Sequence, residues 1–190
     1  MKESIVVIDN FYEDPYAIRE FAAKLTFERV GHIPYPGKIS TAPGPKVDSA
    51  VAQFQKFLNT PDKKMDPGPF FGCFRSIGSD DKPLHYVHSH NMDWTALIYL
   101  NSPEQCSGGI KFYKSQKFGT YYGYQEDLKY LEEKNVMESK AFSGSDEEMQ
   151  DTSKWEEHGF VGMTFNRLIL FNAALFHSFT PGFGNQPNNI

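Results

Sequence analysis

A pair of histidines two residues apart, His88 and His90, constrains the fold of this chain more than any other feature of its sequence. The pair stands just before residues 94–100, a run of apolar, aromatic and β-branched side chains that is typical of a buried strand. Residues i and i+2 of an extended segment point to the same face. The sequence therefore predicts a β-sheet in which both imidazoles project into the space that the sheet borders.

A third histidine, His177, follows a second apolar run at residues 168–171, and a glycine pair, Gly108 and Gly109, precedes a further predicted strand. Imidazole nitrogens suit iron, zinc, copper or nickel, and three ligands on one face of an ion leave its other positions open. Two histidines on a strand are also typical of a solvated polar face. The third histidine, the apolar strands and the glycine pair together favour a metal site over that interpretation.

The order of these motifs resembles that of the iron(II)- and 2-oxoglutarate-dependent oxygenases. The residues that carry the resemblance are His88, a strand that ends in Tyr99-Leu100-Asn101, the glycine pair, and the apolar strand that leads to His177. The chain is most similar to the prolyl-hydroxylase-like branch, which occurs in phage and bacterial proteins of unknown substrate, and the similarity covers residues 71–183. It implies a mainly β fold with flanking helices, namely a double-stranded β-helix (jelly roll or cupin-like).

The resemblance implies that His88 is the first iron ligand and that His177 is the distal one. The family's second ligand is a carboxylate two residues after the first histidine, and His90 stands there instead. Two alternatives follow: His90 itself ligates and gives a three-histidine face, or Asp93 swings in as the carboxylate. We favour His90 over Asp93. A degenerate site that binds metal poorly is a further alternative.

The family also supplies a basic residue shortly after the distal histidine to pair with the far carboxylate of 2-oxoglutarate. This chain ends at Ile190 before such a residue, and we expect it to be truncated before a final strand. A buried dicarboxylate without a cationic partner is very costly. The candidates for cosubstrate binding are Lys111 and Arg167, with Arg75 as a further cation and Tyr99 as an additional contact. The simpler interpretation of Lys111 and Arg167 is that they are surface charges at strand ends.

The activity that the resemblance implies is hydroxylation of an unactivated C–H bond, coupled to oxidative decarboxylation of the cosubstrate 2-oxoglutarate at Fe(II). One alternative is a cupin-like three-histidine metalloenzyme that does not use 2-oxoglutarate, which gains if Lys111 and Arg167 lie away from the metal. Another is a jelly-roll binding module that has lost its metal. That module predicts that His88, His90 and His177 do not converge.

The 190 residues predict one domain, and a hydrophobic fraction of 39% supplies enough apolar material for a core. The net charge of −5 argues against a general nucleic-acid binder, whose footprint is usually basic. The chain has no apolar segment typical of a signal peptide or a membrane span. We therefore expect a cytoplasmic protein without a membrane partner, and the resemblance implies a small-molecule or peptide substrate. Cys73 and Cys106 are predicted to be free thiols.

Two helices are predicted at the front of the domain, within about residues 14–58. Asp14 and Pro15 mark a helix start, with Ile18, Phe21, Ala22 and Leu25 on one face, and a second helix is predicted over residues 48–58. An acidic insertion is predicted at about residues 126–154, helical over 126–137 and then a mobile loop. The predicted strands are residues 5–8, 70–77, 84–90, 94–101, 110–114, 160–165 and 168–171.

Overall fold

The computed structural model describes residues 5–29, 37–45, 47–59, 68, 70–78, 81, 86–90, 92–123 and 146–180. Within these ranges the chain forms three antiparallel sheets of three strands each, together with three helices. The strands are β1 (Ile5–Ile8), β2 (Phe27–Glu28), β3 (Lys38–Pro43), β4 (Cys73–Ser76), β5 (Trp94–Ile98), β6 (Gly109–Ser115), β7 (Trp155–Gly162), β8 (Leu168–Asn172) and β9 (His177–Phe179). The helices are α1 (Pro15–Ala23), α2 (Val47–Phe57) and α3 (Asp146–Gln150), and short 3₁₀ turns occur at Pro103–Gln105 and Thr152–Lys154.

The strand β8 is the centre of the first sheet, whose order is β1-β8-β5. Its residues Leu168, Ile169, Leu170 and Phe171 are all buried, because β8 is paired on both edges and covered on both faces. The second sheet has the order β7-β6-β9 and the third has the order β2-β3-β4. A mainly β protein with antiparallel sheets and few helices is therefore confirmed, and the double-stranded β-helix stays a prediction.

Alternation along β8 sends its side chains into two cores, because successive residues of a strand point to opposite faces. Leu168 and Leu170 pack on one face with Phe54 of α2. On the other face, Ile169 and Phe171 pack against residues of β6 that include Phe112. The first and second sheets thus face each other across an apolar core, and α2 covers the outer side of the first sheet.

The amino-terminal predictions agree closely with the structure. The predicted strand 5–8 is β1, and the predicted helix 48–58 is α2 with its bounds shifted by one residue. Asp14 caps α1 as predicted, since its carboxylate accepts a hydrogen bond of 3.0 Å from the backbone N–H of Ala17. Ile18 and Ala22 are buried on α1, whereas Phe21 of the same predicted face is 36% exposed. The two cysteines are free, as predicted.

Several predicted strand bounds need correction. The predicted strand 160–165 has the wrong bounds, because the observed strand, β7, runs over Trp155–Gly162. The sequence signal failed there since β7 carries exposed charged residues such as Glu156 and Glu157 on the edge of its sheet. Residues 94–101 and 70–77 contain shorter strands than predicted, and β6 extends the predicted strand 110–114 by one residue at each end.

The predicted strand 84–90 is described only from residue 86 onward, and residues 86–90 do not form a regular strand. They make one isolated bridge, between His88 and His177. The predicted helix 126–137 lies outside the described residues. In the predicted mobile loop, residues 146–154 are instead α3 and a 3₁₀ turn. None of the helices in the described ranges has the length and apolarity that crossing a membrane requires.

Candidate metal centre

The two segments that carry His88 and His177 are joined by a reciprocal pair of backbone hydrogen bonds. The N–H of His88 donates to the carbonyl of His177 at 3.0 Å, and the N–H of His177 donates to the carbonyl of His88 at 2.9 Å. The N–H of His90 donates to the carbonyl of Ala173 at 2.8 Å. Residues directly opposite in an antiparallel pair project to the same face. The pairing therefore brings together imidazoles that are far apart in sequence.

The three predicted histidines converge. The candidate ligand nitrogens of His88, His90 and His177 lie within 4.8 Å of one another. Their ring centroids are 4.8 Å apart for His88 and His90, 4.4 Å for His88 and His177, and 5.1 Å for His90 and His177. We call these three residues the histidine group. The group could hold a metal ion.

Asp93, the alternative third ligand, is not part of the histidine group. It is exposed, and its backbone carbonyl accepts a hydrogen bond of 3.2 Å from the N–H of Ala173. The structure thus brings His90, and not Asp93, next to His88 and His177. Sequence spacing alone left this choice open, because it depends on the path of the backbone after His90.

Two members of the group are oriented by carbonyl oxygens two residues before them in the chain. The Nδ1 atom of His88 lies 3.0 Å from the carbonyl oxygen of Tyr86, and the Nδ1 atom of His177 lies 2.7 Å from that of Leu175. A carbonyl oxygen can only accept, so each Nδ1 carries the hydrogen when the ring is neutral. The Nε2 lone pair of each ring then remains for a metal, which is the usual arrangement of a ligating histidine.

Burial keeps all three rings neutral at pH 7. It lowers the pKa of His88 to about 3, with further lowering from the charges of His90 and Arg75. It also holds the pKa of His177 well below its ordinary value, and that effect is reinforced by His88 and His90. Burial and the charge of Arg75 lower the pKa of His90. Neutral imidazole is the form that binds metals, so the group is prepared for a cation.

The fit to a metal ion requires a small contraction of the group. Three nitrogens that each lie about 2.1 Å from one ion are roughly 3.0–3.4 Å apart. Since the widest pair in the group is at most 4.8 Å apart, it has to close by roughly 1.5 Å, which small rotations of the rings can supply. A donor set of imidazoles suits iron, zinc, copper or nickel.

The walls around the group are aromatic. The ring of Phe171 lies 4.8 Å from that of His177, and the ring of Tyr86 lies 5.8 Å from that of His88. Phe112 is the register partner of His177 across β6 and β9. The group therefore lies at the border of the apolar core between the two facing sheets.

Lys111, a predicted cosubstrate ligand, lies on the other face of β6 from Phe112. Its Nζ atom forms an ion pair with the carboxylate of Glu157 at 2.5 Å, and its register partner Phe160 is 52% exposed. Since Phe112 shares its face with His177, Lys111 points away from the histidine group.

Arg167, the second predicted cosubstrate ligand, forms an ion pair with Asp9, the residue that follows β1. Its guanidinium donates to both carboxylate oxygens of Asp9, at 2.6 and 2.9 Å, and to the carbonyl of Gly162 at 2.9 Å. These contacts lower the pKa of Asp9, principally through the hydrogen bond from Arg167. The observed contacts of Arg167 are those of a cation that ties the start of β8 to the end of β1.

The remaining two candidates occupy different surroundings. Tyr99 is 2% exposed within the core cluster that contains Ile169 and Phe171, and burial raises its pKa. Arg75 lies on β4, and its charge acts on both His88 and His90. Of the three cations that the sequence indicated, Arg75 is thus the one whose charge reaches these histidines.

One glycine beside the site was not identified as a site residue from the sequence. The N–H of Gly123 donates to the carbonyl of Ala174 at 2.8 Å, and a Cβ atom at Gly123 would collide with the Oγ atom of Ser89. Ser89 is the residue between His88 and His90. The close approach of Gly123 therefore restricts the position of the segment that carries both histidines. In the sequence, Gly123 is only one glycine among aromatic residues. Its contact with Ser89 is a tertiary contact, which the local sequence does not reveal.

Comparison with known proteins gives one finding. The model of the family DUF6445, described as a family of unknown function, matches residues 81–180, which include the whole histidine group. No curated protein and no solved structure matches the chain.

We expect the substitution Gly123→Ala to weaken metal binding. The added methyl group has to displace Ser89 and therefore the two histidines beside it. Changes that misplace metal ligands through their supporting contacts typically lower metal affinity by about 10- to 100-fold. The measurement is the dissociation constant for Co²⁺ or Zn²⁺, compared with wild type.

The matched control is Gly159→Ala. There the nearest atom to an added Cβ is on the ring of Phe112 at 4.0 Å, an ordinary contact. This variant should bind the metal as wild type does. Equal affinities for the wild type and both variants would contradict the role assigned to Gly123.

We expect the metal-free protein to lose stability as the pH falls below about 6.5. The unfolded chain takes up protons on its histidines near their ordinary pKa of 6.5, whereas folded His88 does so only near 3. More protons are then bound by the unfolded state, and the free energy of unfolding drops by about 1.4 kcal/mol per pH unit for each such histidine. The stability is fully present above pH 6.5 and is lost towards the lower, folded pKa.

Urea denaturation at several pH values above and below the ordinary histidine pKa measures this effect. The variant His177→Asn should show a shallower pH dependence, because one buried imidazole is gone. The variant His158→Gln, which changes an exposed histidine of β7, should keep the wild-type dependence. A free energy of unfolding that does not change with pH in this range would show that the rings protonate freely in the folded state.

Proposed function

The chain belongs to DUF6445, a family of unknown function, and we propose that it is a non-haem iron dioxygenase that couples decarboxylation of 2-oxoglutarate to hydroxylation of a substrate. The observation that carries the proposal is the convergence of His88, His90 and His177 within 4.8 Å at the edge of a core between two facing sheets. Facing antiparallel sheets with a ligand group between them are what a jelly roll of this class requires. The double-stranded β-helix is therefore part of the proposal.

The histidine group holds Fe(II) through one nitrogen of each ring. Three protein ligands on one face leave the other positions for the cosubstrate and dioxygen, and the bound metal supplies the oxidative chemistry. The protein positions the ligands of the metal. His88 and His177 are kept in one orientation by the carbonyls of Tyr86 and Leu175, and the surrounding aromatic rings limit the access of water.

The charge balance of the site favours a doubly negative cosubstrate. Three neutral imidazoles leave the two positive charges of the metal uncompensated, whereas the family's usual carboxylate would remove one of them. The charge of Arg75 adds to this field at His88 and His90. A dianion such as 2-oxoglutarate is drawn to such a site, and we assign its far carboxylate to Arg75, the cation whose charge acts on His88 and His90.

A second candidate function is a cupin-like three-histidine metalloenzyme that does not use 2-oxoglutarate. Two observations favour it: the histidine group includes no carboxylate, and both Lys111 and Arg167 make their ion pairs with acidic side chains outside the group. The third possibility, a module that has lost its metal, is weakened by the convergence of the histidines. The substrate of either enzyme is proposed to be a small molecule or a peptide.

The test of the main proposal is anaerobic titration of the Fe(II)-loaded protein with 2-oxoglutarate. Chelation of the cosubstrate is expected to produce a weak metal-to-ligand charge-transfer band in the visible region. The variant Arg75→Gln should bind iron at least as tightly as wild type does, because a positive charge near the metal is removed, and should need at least about 10-fold more 2-oxoglutarate, which is about 1.4 kcal/mol. The variant Lys111→Gln is the matched control and should titrate as wild type.

Each other outcome contradicts a defined part of the proposal. Iron binding without the band would favour the three-histidine enzyme that lacks 2-oxoglutarate. Failure of the wild type to bind iron would favour the binding module.

His177→Ala, which removes one ligand, should abolish tight iron binding while the far-ultraviolet circular dichroism of the fold persists.

We expect His90→Asp to lower the affinity for Fe(II) by about 10-fold or more. The substitution restores the family's carboxylate, but the aspartate side chain is shorter than imidazole, and the backbone at this position is held by Ala173. His90→Gln is the control for loss of the ligand without a new charge. Anaerobic metal titration measures the affinity, and tighter binding by the aspartate variant would mean that the site accommodates the family pattern.

A further inference from the structure

The residues that immediately precede two members of the histidine group share one small core on the opposite side. Val87 precedes His88 and is fully buried, and Phe176 precedes His177 and is 2% exposed. Neighbouring residues of an extended segment point to opposite faces, so these two side chains lie behind the histidines. They form one cluster with Tyr113 of β6, and Trp155 packs against it.

Trp155 connects this cluster to α3. Its ring centroid lies 4.8 Å from that of Phe176, and its Nε1–H donates to the carbonyl of Glu148 in α3 at 3.0 Å. The helix in turn holds the other histidine segment, because the carbonyl of Met149 accepts a hydrogen bond of 2.9 Å from the N–H of Val87. Trp155 and α3 therefore contact the residue before His88 and the residue before His177 together.

A pocket with about 30 Å³ of space for water lies between α3 and the sheet, lined by residues that include His88, Met149 and Phe118. An exposed ion pair of 3.2 Å between Lys117 and Glu148 lies at its rim. Because the carbonyl of Met149 is bonded to the N–H of Val87, a shift of α3 is transmitted to the segment that carries His88.

We propose that Trp155 and α3 form a latch that sets the spacing between His88 and His177 and thereby the affinity of the site for its metal. Trp155 is a positioning residue, since it acts through Val87 and Phe176. The inference rests on the proposed metal centre. It assigns a function to the carboxyl end of the acidic insertion, whose residues 146–150 supply the latch.

The latch is distinguished from an ordinary piece of core by what its loss changes. A core contact that only stabilises the fold lowers the unfolding temperature and leaves the geometry of the ligands unchanged. A latch changes metal affinity and the local opening of the histidine segments more than it changes global stability.

The test compares Trp155→Phe with Phe54→Leu. The first variant keeps an aromatic ring against Phe176 and removes the Nε1–H that donates to Glu148. The second disturbs a buried side chain in the cluster on the far side of the first sheet. Two quantities are measured in each: the dissociation constant for Co²⁺, and the amide hydrogen exchange rates of Val87 and His177 in the metal-free protein.

We expect Trp155→Phe to raise the dissociation constant by about 10-fold and to speed exchange at Val87 by a similar factor. Phe54→Leu should lower the unfolding temperature without a selective change in either quantity. Unchanged exchange at Val87 and His177 in Trp155→Phe overturns the latch, whatever the metal does. If the wild type binds no metal but exchange responds as expected, the coupling between Trp155 and the histidine segments stands and the metal centre fails.

Discussion

The reciprocal backbone hydrogen bonds between His88 and His177 are the interaction on which the site depends. They join the segment before β5 to the start of β9, and they place two imidazoles directly opposite each other. An isolated bridge of this kind is weak by itself. It is held by neighbours on both sides, since β9 is paired with β6 and the N–H of His90 is bonded to Ala173. The site is therefore formed only when the second sheet is complete.

Burial determines the chemistry of the histidine group. An imidazole that is removed from water resists protonation, and the hydrogen bonds of Nδ1 to backbone carbonyls satisfy one polar atom of His88 and of His177. The lone pairs of the remaining nitrogens of the neutral rings are then available to a metal ion. In the described part of the chain the group that could hold a metal consists of histidines alone. Neutral imidazoles leave more positive charge on a bound metal than a carboxylate would, which makes anionic partners more favourable.

The histidine group is supported from outside the core as well as from inside it. Phe171 and Phe112 border it on the inner face, while Val87 and Phe176 anchor the same segments from behind, where Trp155 and α3 cover them. Gly123 completes this support at Ser89, where only a residue without a side chain fits. Residues other than the histidines thus support the segments on which the ligand atoms lie.

Residue type and short-range periodicity were enough to predict the β-rich character of the chain, the amphipathic helices near its start, and His88, His90 and His177 as candidate ligands. Tertiary contacts, in contrast, place His90 and not Asp93 next to His88 and His177. They also pair Lys111 with Glu157 and Arg167 with Asp9, and they bring the charge of Arg75 to His88 and His90. Part of the segment that was predicted to be a mobile acidic loop forms α3. These outcomes depend on strand register and on contacts between distant segments, and a one-residue change in register moves a side chain to the opposite face without altering the local sequence pattern.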